Sequence, residues 1–444
     1  MTSRVLAADL SRHVGQQVTI AGWLHRRREL KAVTFLIVRD RTGLAQVVLA
    51  SPEPGAGADR QPAGPAIAAE LPEETVIQVT GTVTASQQAP GGAELTRPVI
   101  TRLSGPAAPP PFDLYRPALT ATLPTILDHA PTTLRHPALR AGFEVAAASA
   151  AGFRSALDGL GFTEIFTPKI VESATESGAN VFALDYFGRP AYLAQSPQFY
   201  KQAMVGVFER VYEVGPAFRA EPSDTARHLA QLCSLDAEFG FITDHYDVMA
   251  VCRDAVAGMV DSVRERAAPE MALLGASLPE VPAQIPHVHF AEALKLISQA
   301  TGEDVTGELD LAPAHERWLC EWSAREHGSD LLFVPGFPLV SKPFYTYPDP
   351  ARPGYSYGFD LLFRGMEIVS GGQRLHRYED YLAALAARGQ NPEPYGGYLR
   401  VFEHGMPPHG GFAIGLERWT ARLTGAANVR QVTLFPRDLH RLSP

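Results

Sequence analysis

Residues 104–125, SGPAAPPPFDLYRPALTATLPT, form a proline-dense segment. Proline has no N–H to donate and its ring fixes φ, and three in a row favour extended polyproline II. The segment therefore divides a chain of 444 residues into two parts, each of which must bury a core of its own. Phe112, Leu114 and Tyr115 are able to pack, so residues 104–130 read as a semi-rigid hinge rather than a loose tether.

Residues 1–103 are β-rich. VTIAGWLHRR (18–27), TFLIVRD (34–40), GLAQVVLA (43–50) and TVIQVTGTV (75–83) are short runs rich in Val, Ile and Thr, broken by turn residues. LTRPVITRL (95–103) adds a fifth, and Pro98 confines it to an edge or a bulge. Five short strands in this length fit a small barrel of the OB type. Residues 51–71, rich in Ala, Pro and Gly, read as a loop between strands.

The second part, 131–444, mixes helices and strands. Residues 137–158 carry an apolar stripe at helical spacing, open with proline and end at Gly159 and Gly161. FTEIFTPKIV (162–171) reads as a strand that Pro168 keeps at an edge or interface, and 245–268 as a second amphipathic helix. Residues 269–290 read as an irregular insertion. YLAQSP, RVYEVGPAFRAE, SLDAEFGFI, YSYGFDLLF, RGMEIVSGG and GGFAIGL are strands scattered among helices, which favours a mostly antiparallel sheet flanked by helices, an α+β class.

Charge is unevenly spread. The net charge is −9, yet residues 1–103 carry 11 Lys/Arg against 9 Asp/Glu, leaving about −11 for the rest. Any nucleic-acid contact is therefore expected to be a local patch. Three distant cysteines exclude a disulfide framework or a CxxC zinc knuckle. No apolar run approaches 18 residues and the N-terminus lacks an apolar h-region, so the expectation is a cytoplasmic protein without a membrane span.

Four clusters carry chemistry. FRAE (218–221), a polar loop and SLDAEFGFI (234–242) suggest a hairpin with Arg219 and Glu221 on one face and Arg227 and His228 on the returning side. Such a set suits a phosphate and an adenine amino group, though taken alone an exposed cross-strand ion pair is the commoner explanation of Arg219 and Glu221. RGMEIVSGGQRLHRYED (364–380) gathers Glu367 and Ser370, hard oxygens suited to Mg²⁺, with Arg374, a fork for a carboxylate. MPPHGGFAIGLERW (406–419) is a glycine-rich strand whose Gly415-Leu416-Glu417-Arg418 opens a helix, a place for an anionic ligand to approach. AQSPQFYKQ (194–202) sets Gln198 and Lys201 at i, i+3, downstream of a polar loop holding Glu176; an ordinary helix start reads the same way in isolation.

In their order these elements resemble the three motifs of the class II aminoacyl-tRNA synthetases: the long helix with the Pro168 strand, then FRAE…RHL…LDAEF, then GLER. GWLHRRREL…FLIVRDRTGLAQVV is similar to the OB-fold anticodon domain of the aspartate, asparagine and lysine subgroup. AQSPQFYKQ, GFDLLFRGMEIVSGGQRLH and LFPRDLHRLSP are similar to the archaeal type of aspartate enzyme. The resemblance spans almost the whole chain and implies an OB-fold domain over 1–103, the hinge, and a class II catalytic domain over 131–444.

The resemblance implies ATP-dependent ligation of L-aspartate to tRNA-Asp through aspartyl-adenylate, with ATP as substrate and Mg²⁺ as metal. It implies Arg219, Glu367 and Arg418 as catalytic residues. ATP is assigned Arg219, Ala220, Glu221, Arg227, His228, Leu229, Glu367, Gly415, Leu416, Glu417 and Arg418, and Mg²⁺ is assigned Glu367 and Ser370. Aspartate is assigned Glu176, Gln198, Lys201, Arg219, Ser370 and Arg374, with Lys201 and Arg374 both aimed at its side-chain carboxylate. Two cations facing one anion favour aspartate over asparagine.

In the barrel the resemblance implies stacking of Phe35 on an anticodon base, a hydrogen bond from Gln46, and phosphate contacts from Arg28. His25 and Gln88 stand where stricter relatives have tryptophan and lysine. The expectation is therefore that tRNA-Asn is charged as well, with a tRNA-dependent amidotransferase downstream. A homodimer with Pro168 at its interface is also implied. The competing readings are an asparaginyl enzyme, a non-catalytic RNA-binding paralogue and a free-standing asparagine synthetase. The last lacks a barrel, and the paralogue should have lost Arg219, Glu367 or Arg418.

Overall fold

A computed structural model describes residues 4–31, 33–50, 71–172 and 181–443. Most of the expected 51–71 loop and the segment carrying Glu176 lie outside them. The chain forms two compact units, Met1–His136 and Pro137–Pro444. The first thus includes residues 104–136 as well as the barrel, whereas the expected catalytic domain started at 131.

In the first unit, β1 (Gln17–Leu30), β2 (Val33–Arg39), β3 (Leu44–Ala50), β4 (Val76–Ala85) and β5 (Ala93–Arg102) close a barrel in the order β1-β2-β3-β5-β4. Period-2 alternation turns Leu36, Val38, Val47, Ile77 and Val79 into the core, all nearly fully buried. Pro98 lies in β5 where the pairing with β4 shifts register, beside Arg97 at φ 51°, so the missing N–H falls at a bulge. A second bulge in β1, between Leu24 and Arg26, re-aims His25.

In the second unit, helix α1 (Pro137–Gly159) matches the expected helix. Pro168 breaks the expected strand into β6 (Thr163–Glu164) and β7 (Ile170–Val171), which join different sheets. The proline segment is held instead by Glu213, which accepts the Thr167 N–H at 3.0 Å, the Thr167 hydroxyl at 2.7 Å and Lys169 Nζ at 2.8 Å. β7 pairs with the hairpin β8 (Ala183–Tyr186) and β9 (Arg189–Leu193). The main sheet adds β10 (Arg210–Phe218), β11 (Gln231–Gly240), β12 (Leu331–Pro335), β13 (Gly358–Phe363), β14 (Met366–Gln373) and β15 (His409–Gly415). Its order is β12-β13-β14-β15-β11-β10-β6, antiparallel except for the β10–β6 edge.

One face of this sheet is apolar. Leu235, Ala237, Phe239, Leu361, Phe412 and Ile414 belong to a core shared with α1 and α3 (His245–Arg266). The two helices approach closely because both contribute glycine at the crossing. A Cβ on Gly152 would meet the Gly258 carbonyl oxygen at 2.3 Å. The opposite face carries the polar residues. Further helices include α2 (Gln198–Phe208), α4 (Pro313–His327) and α5 (Leu416–Thr424). The expected 269–290 insertion is a short helix, Ala268–Leu273, followed by irregular chain. Among the described residues no helix is long and apolar enough to cross a membrane.

Candidate active site

The polar face follows from strand registers. Ser234, Asp236 and Glu238 alternate along β11, opposite Gly415, Ala413 and Gly411 of β15. On β14, Ser370 pairs with Ala413 on one side and Asp360 of β13 on the other. Carboxylates and hydroxyls thus stand above a floor of glycine and alanine, which leaves room for a ligand against the backbone.

Glu367 and Ser370 should point to opposite faces of a regular strand, being three apart. The register of β13 and β14 shifts between Leu361 and Leu362, so that Leu362 opposes Glu367 while Asp360 opposes Ser370. This bulge turns Glu367 to the same side as Ser370, and both line one cleft.

Of the residues assigned to ATP, Arg219, Glu221, Arg227, His228, Leu229, Glu367, Gly415, Glu417 and Arg418 line this cleft. Pairing of the Arg219 N–H with the Ala230 carbonyl extends the β10–β11 hairpin and sets Arg219 on the polar face. Arg219 is exposed and has no ion-pair partner among the described residues. His228 is lowered by burial and by Arg418. Burial alone would raise Glu367, but Arg418, Lys342 and Arg227 hold it below its ordinary value. Arg418 donates through Nη1 to Glu367 Oε2 at 3.0 Å.

Two residues assigned to ATP, Leu416 and Ala220, do not line the cleft, and Glu417 lines it with its carboxylate already engaged. Leu416 packs against the main core, because as the first residue of α5 it turns its apolar side chain inward. Glu417 spends both carboxylate oxygens on the Cys233 N–H, at 2.9 and 3.1 Å, and burial pushes it up to about 7; it ties α5 to β11.

Of the residues assigned to aspartate, Gln198, Lys201 and Arg374 form a buried cluster, whereas Arg219 and Ser370 are exposed. Lys201, 1% exposed, donates to Asp236 at 3.0 Å and to the Phe412 carbonyl at 3.3 Å, and lies 3.3 Å from Glu238 Oε2. Arg374 donates to Glu238 Oε1 at 3.0 Å, to Gln198 Oε1 at 3.4 Å and to the Gly411 carbonyl at 3.0 Å. Asp236 and Glu238 balance the two cations, counter-charges that the sequence reading did not include. Burying two like charges together without counter-charges would cost several kcal/mol per ion. Glu238 is lowered by Arg374 and Lys201 against the effect of burial. Beneath the cluster Gln202 Nε2 donates to His409 Nε2 at 2.9 Å, and burial pushes His409 down to about 4, so it is neutral at pH 7. Glu176 lies outside the described residues.

The sequence reading missed Asp236, Glu238, Asp360, Lys342 and Glu316. Asp360, raised by burial and by the neighbouring Glu367 carboxylate, accepts from Lys342 Nζ at 3.0 Å. A charge inside the apolar run FDLLF was its available signal.

On the barrel, Arg28 pairs across strands with Phe35, and Gln46 with Ile37, so all share the outer face. Arg28 is exposed, Phe35 half-buried, and Gln88 exposed in the loop after β4. Gln46 donates to Glu94 at 2.8 Å. His25 departs from expectation. The β1 bulge buries it, with Nδ1 2.8 Å from Arg39 Nη1 and 3.6 Å from Glu74, so its ring does not face solvent.

The chain matches two family models: tRNA synthetases class II (D, K and N) over residues 123–439, and the OB-fold nucleic acid binding domain over 18–103. It is 47% identical to the aspartate–tRNA(Asp/Asn) ligase of Thermus thermophilus, over 99% of this chain and 100% of the relative. It is 39% identical to the enzyme of the same name from Sulfurisphaera tokodaii, over 100% and 99%. Among solved structures it resembles asparaginyl-tRNA synthetase from Pyrococcus horikoshii complexed with asparaginyl-adenylate, with a TM-score of 0.90, 31% identity and full coverage of both chains.

Proposed function

The chain belongs to the class II tRNA synthetases of the aspartate, lysine and asparagine group, and we infer that it is an aspartate–tRNA ligase. The α-carboxylate of L-aspartate attacks the α-phosphorus of ATP, pyrophosphate leaves, and aspartyl-adenylate forms. The terminal ribose 3′-hydroxyl of tRNA then attacks the adenylate carbonyl and AMP leaves. Neither step needs a nucleophile from the protein, so positioning and charge stabilisation supply the catalysis.

Arg219 grips the α-phosphate and the substrate carboxylate. Glu221 reads the adenine amino group, Arg227 and His228 hold the outer phosphates, and Arg418 closes the phosphate end. Gln198, Ser370 and Glu176 hold the amino acid's remaining groups. The observation that carries aspartate as substrate is the buried set Lys201, Arg374, Asp236 and Glu238. Lysine and arginine only donate, so a carboxylate that only accepts satisfies them. The amide nitrogen of asparagine would set donor against donor in a closed pocket. The asparaginyl reading draws on likeness of backbone to a solved structure, whereas the relatives of highest identity quoted above are aspartate enzymes.

Mg²⁺ is the metal the family resemblance implies. Asp360, Glu367 and Ser370 offer hard oxygens on one face, with Asp360 paired to Lys342 and Glu367 to Arg418. Among the described residues no cluster of three or more His, Cys, Asp or Glu forms a protein-only cage. Mg²⁺ commonly takes one or two carboxylates with phosphates and water, so the donor set fits. Bound there, the ion supplies neutralising charge to the triphosphate.

Phe35, Arg28 and Gln46 form the anticodon face, and dual charging of tRNA-Asp and tRNA-Asn is supported by the relatives' being aspartate–tRNA(Asp/Asn) ligases; an amidotransferase would then convert the aspartyl-tRNA-Asn product. Ligation of tRNA points to the cytoplasm. The exposed Phe166 and Ile170 flanking Pro168 support a homodimer through that segment; sedimentation at micromolar concentration checks it. The function itself is tested by aspartate-dependent ATP–pyrophosphate exchange with asparagine as control, followed by charging of both tRNA transcripts. Exchange driven by asparagine alone would overturn it.

A further inference from the structure

Helix α4 brings into the cleft a carboxylate that the ligase reading leaves unused. Glu316 sits in its first turn and is 4% exposed. Both of its oxygens lie 2.9 Å from Nη2 of Arg227. One of them, Oε2, also accepts the backbone N–H of Glu367 at 2.9 Å. From the other side Arg418 donates to Glu367 Oε2 at 3.0 Å and, through Nε, to the Arg227 carbonyl at 3.4 Å. Four residues from α4, the β10–β11 loop, β14 and α5 thus close a ring around the outer end of the cleft.

The need for such a ring is physical. Arg227 stands on a long polar loop, where its side chain would otherwise sample many rotamers and lose that freedom on meeting a phosphate. A buried carboxylate is itself costly unless paired and hydrogen-bonded, and Glu316 is both. It engages Arg227 through Nη2 only; Nε and Nη1 have no carboxylate partner among the described residues. The same oxygen that holds Arg227 holds the backbone of Glu367, so the loop and the strand are set relative to each other by one group.

We propose that Glu316 is a positioning residue for amino-acid activation: it presets the Arg227 guanidinium for the outer phosphates of ATP and fixes the start of β14 beside it. The proposal rests on the reading of this cleft as the ATP site. It predicts an effect on ATP that spares aspartate binding, since the ring joins Glu316, Arg227, Glu367 and Arg418, while Lys201 and Arg374 are held by Asp236 and Glu238.

The test is ATP–pyrophosphate exchange with Glu316→Gln, Glu316→Asp, Arg227→Ala and the double variant Glu316→Gln/Arg227→Ala in the full chain. Glu316→Gln should raise KM for ATP about tenfold or more, with KM for aspartate within about twofold of the parent. Glu316→Asp, which keeps the charge, should recover part of that loss. The double variant should be no worse than Arg227→Ala alone, because both remove one interaction. An unchanged or lowered KM for ATP in Glu316→Gln would overturn the proposal, the lowered value meaning that Glu316 competes with phosphate for Arg227. Fully additive losses in the double variant would also overturn it. If Glu316→Gln does not fold, Glu316→Asp and its double variant with Arg227→Ala decide by the same criteria. Absence of aspartate-dependent exchange in the parent protein would instead sink the ligase reading.

Discussion

Arg374 donates through Nε to Oε1 of Glu238 at 3.0 Å, and the carboxylate that holds it is wholly buried. Its other oxygen lies 3.3 Å from Nζ of Lys201, so one side chain spaces the two cations of the amino-acid pocket. Removing the charge from Glu238 leaves those cations short of a partner in a closed site. We expect Glu238→Gln to lose about 3 kcal/mol of transition-state stabilisation, roughly a hundredfold in kcat/KM for aspartate. Steady-state exchange with aspartate varied checks this, and a loss expressed only in KM for ATP would refute the spacing role.

Gly411 lies directly across from Glu238. A Cβ there would meet both the Ala237 carbonyl oxygen and Glu238 Oε2 at 2.1 Å, well inside van der Waals contact. The carbonyl belongs to a sheet strand and cannot retreat, so the strain must move the carboxylate or part the strands. Gly411→Ala should therefore cost about 1–3 kcal/mol of stability and lower aspartate activity with it. Gly396→Ala is the control, because a Cβ at that helical position meets nothing within 4 Å. Thermal melting and exchange rates on the two variants should separate them clearly; equal behaviour would show that the floor of β15 tolerates a side chain.

What the sequence made legible was local. The α1 helix, the barrel strands and the bulge at Pro98 follow from periodicity and from what proline cannot do. The clustering of Arg219, Glu221, Arg227 and Arg418 was foreseeable from alternation and from motif order. What it hid depends on register and on distant chain. Glu367 and Ser370 share a face only because β14 bulges between them, an irregularity that spacing cannot announce. Asp236 and Glu238 look like ordinary members of LDAEF until glycines of β15 are laid opposite. Glu316 meets Arg227 across 89 residues of sequence, from a helix that the sequence reading did not single out. His25 was expected at a reading face, and a one-residue bulge turned it into the interior instead.

On the barrel, Phe35 is half-buried beside the exposed Arg28, its direct partner across β1 and β2. An aromatic flanked by a cation suits a stacked base held by its phosphate. Under the anticodon reading, Phe35→Ala should reduce charging of tRNA about 10- to 100-fold, since stacking is worth about 1–3 kcal/mol per base. Aspartate-dependent ATP–pyrophosphate exchange needs no tRNA and should stay at the parent rate. A parallel fall in both activities would mean that Phe35 supports the fold rather than the nucleic acid.

The barrel also carries a pH dependence through Glu74. This side chain is 5% exposed and accepts from Arg39 at 2.8 and 2.7 Å and from Arg135 at 2.8 Å, with His25 at 3.6 Å. Burial alone would raise its carboxyl, but the nearby His25 and the hydrogen bonds from Arg39 and Arg135 bring it down to about 2 from an ordinary 4.5. A carboxyl lowered on folding binds its proton more weakly in the native than in the unfolded chain. Its contribution is therefore complete above about pH 4.5 and fades as pH falls toward 2. At about 1.4 kcal/mol per pKa unit the shift is worth roughly 3 kcal/mol at neutral pH. Glu74→Gln should thus lower the melting temperature of the barrel most at pH 7, and the gap to the parent should narrow steadily between pH 4.5 and 2. Melting curves followed across that range check the sign. A gap that stays constant down to pH 2 would mean that Glu74 acts through its shape and not through its charge.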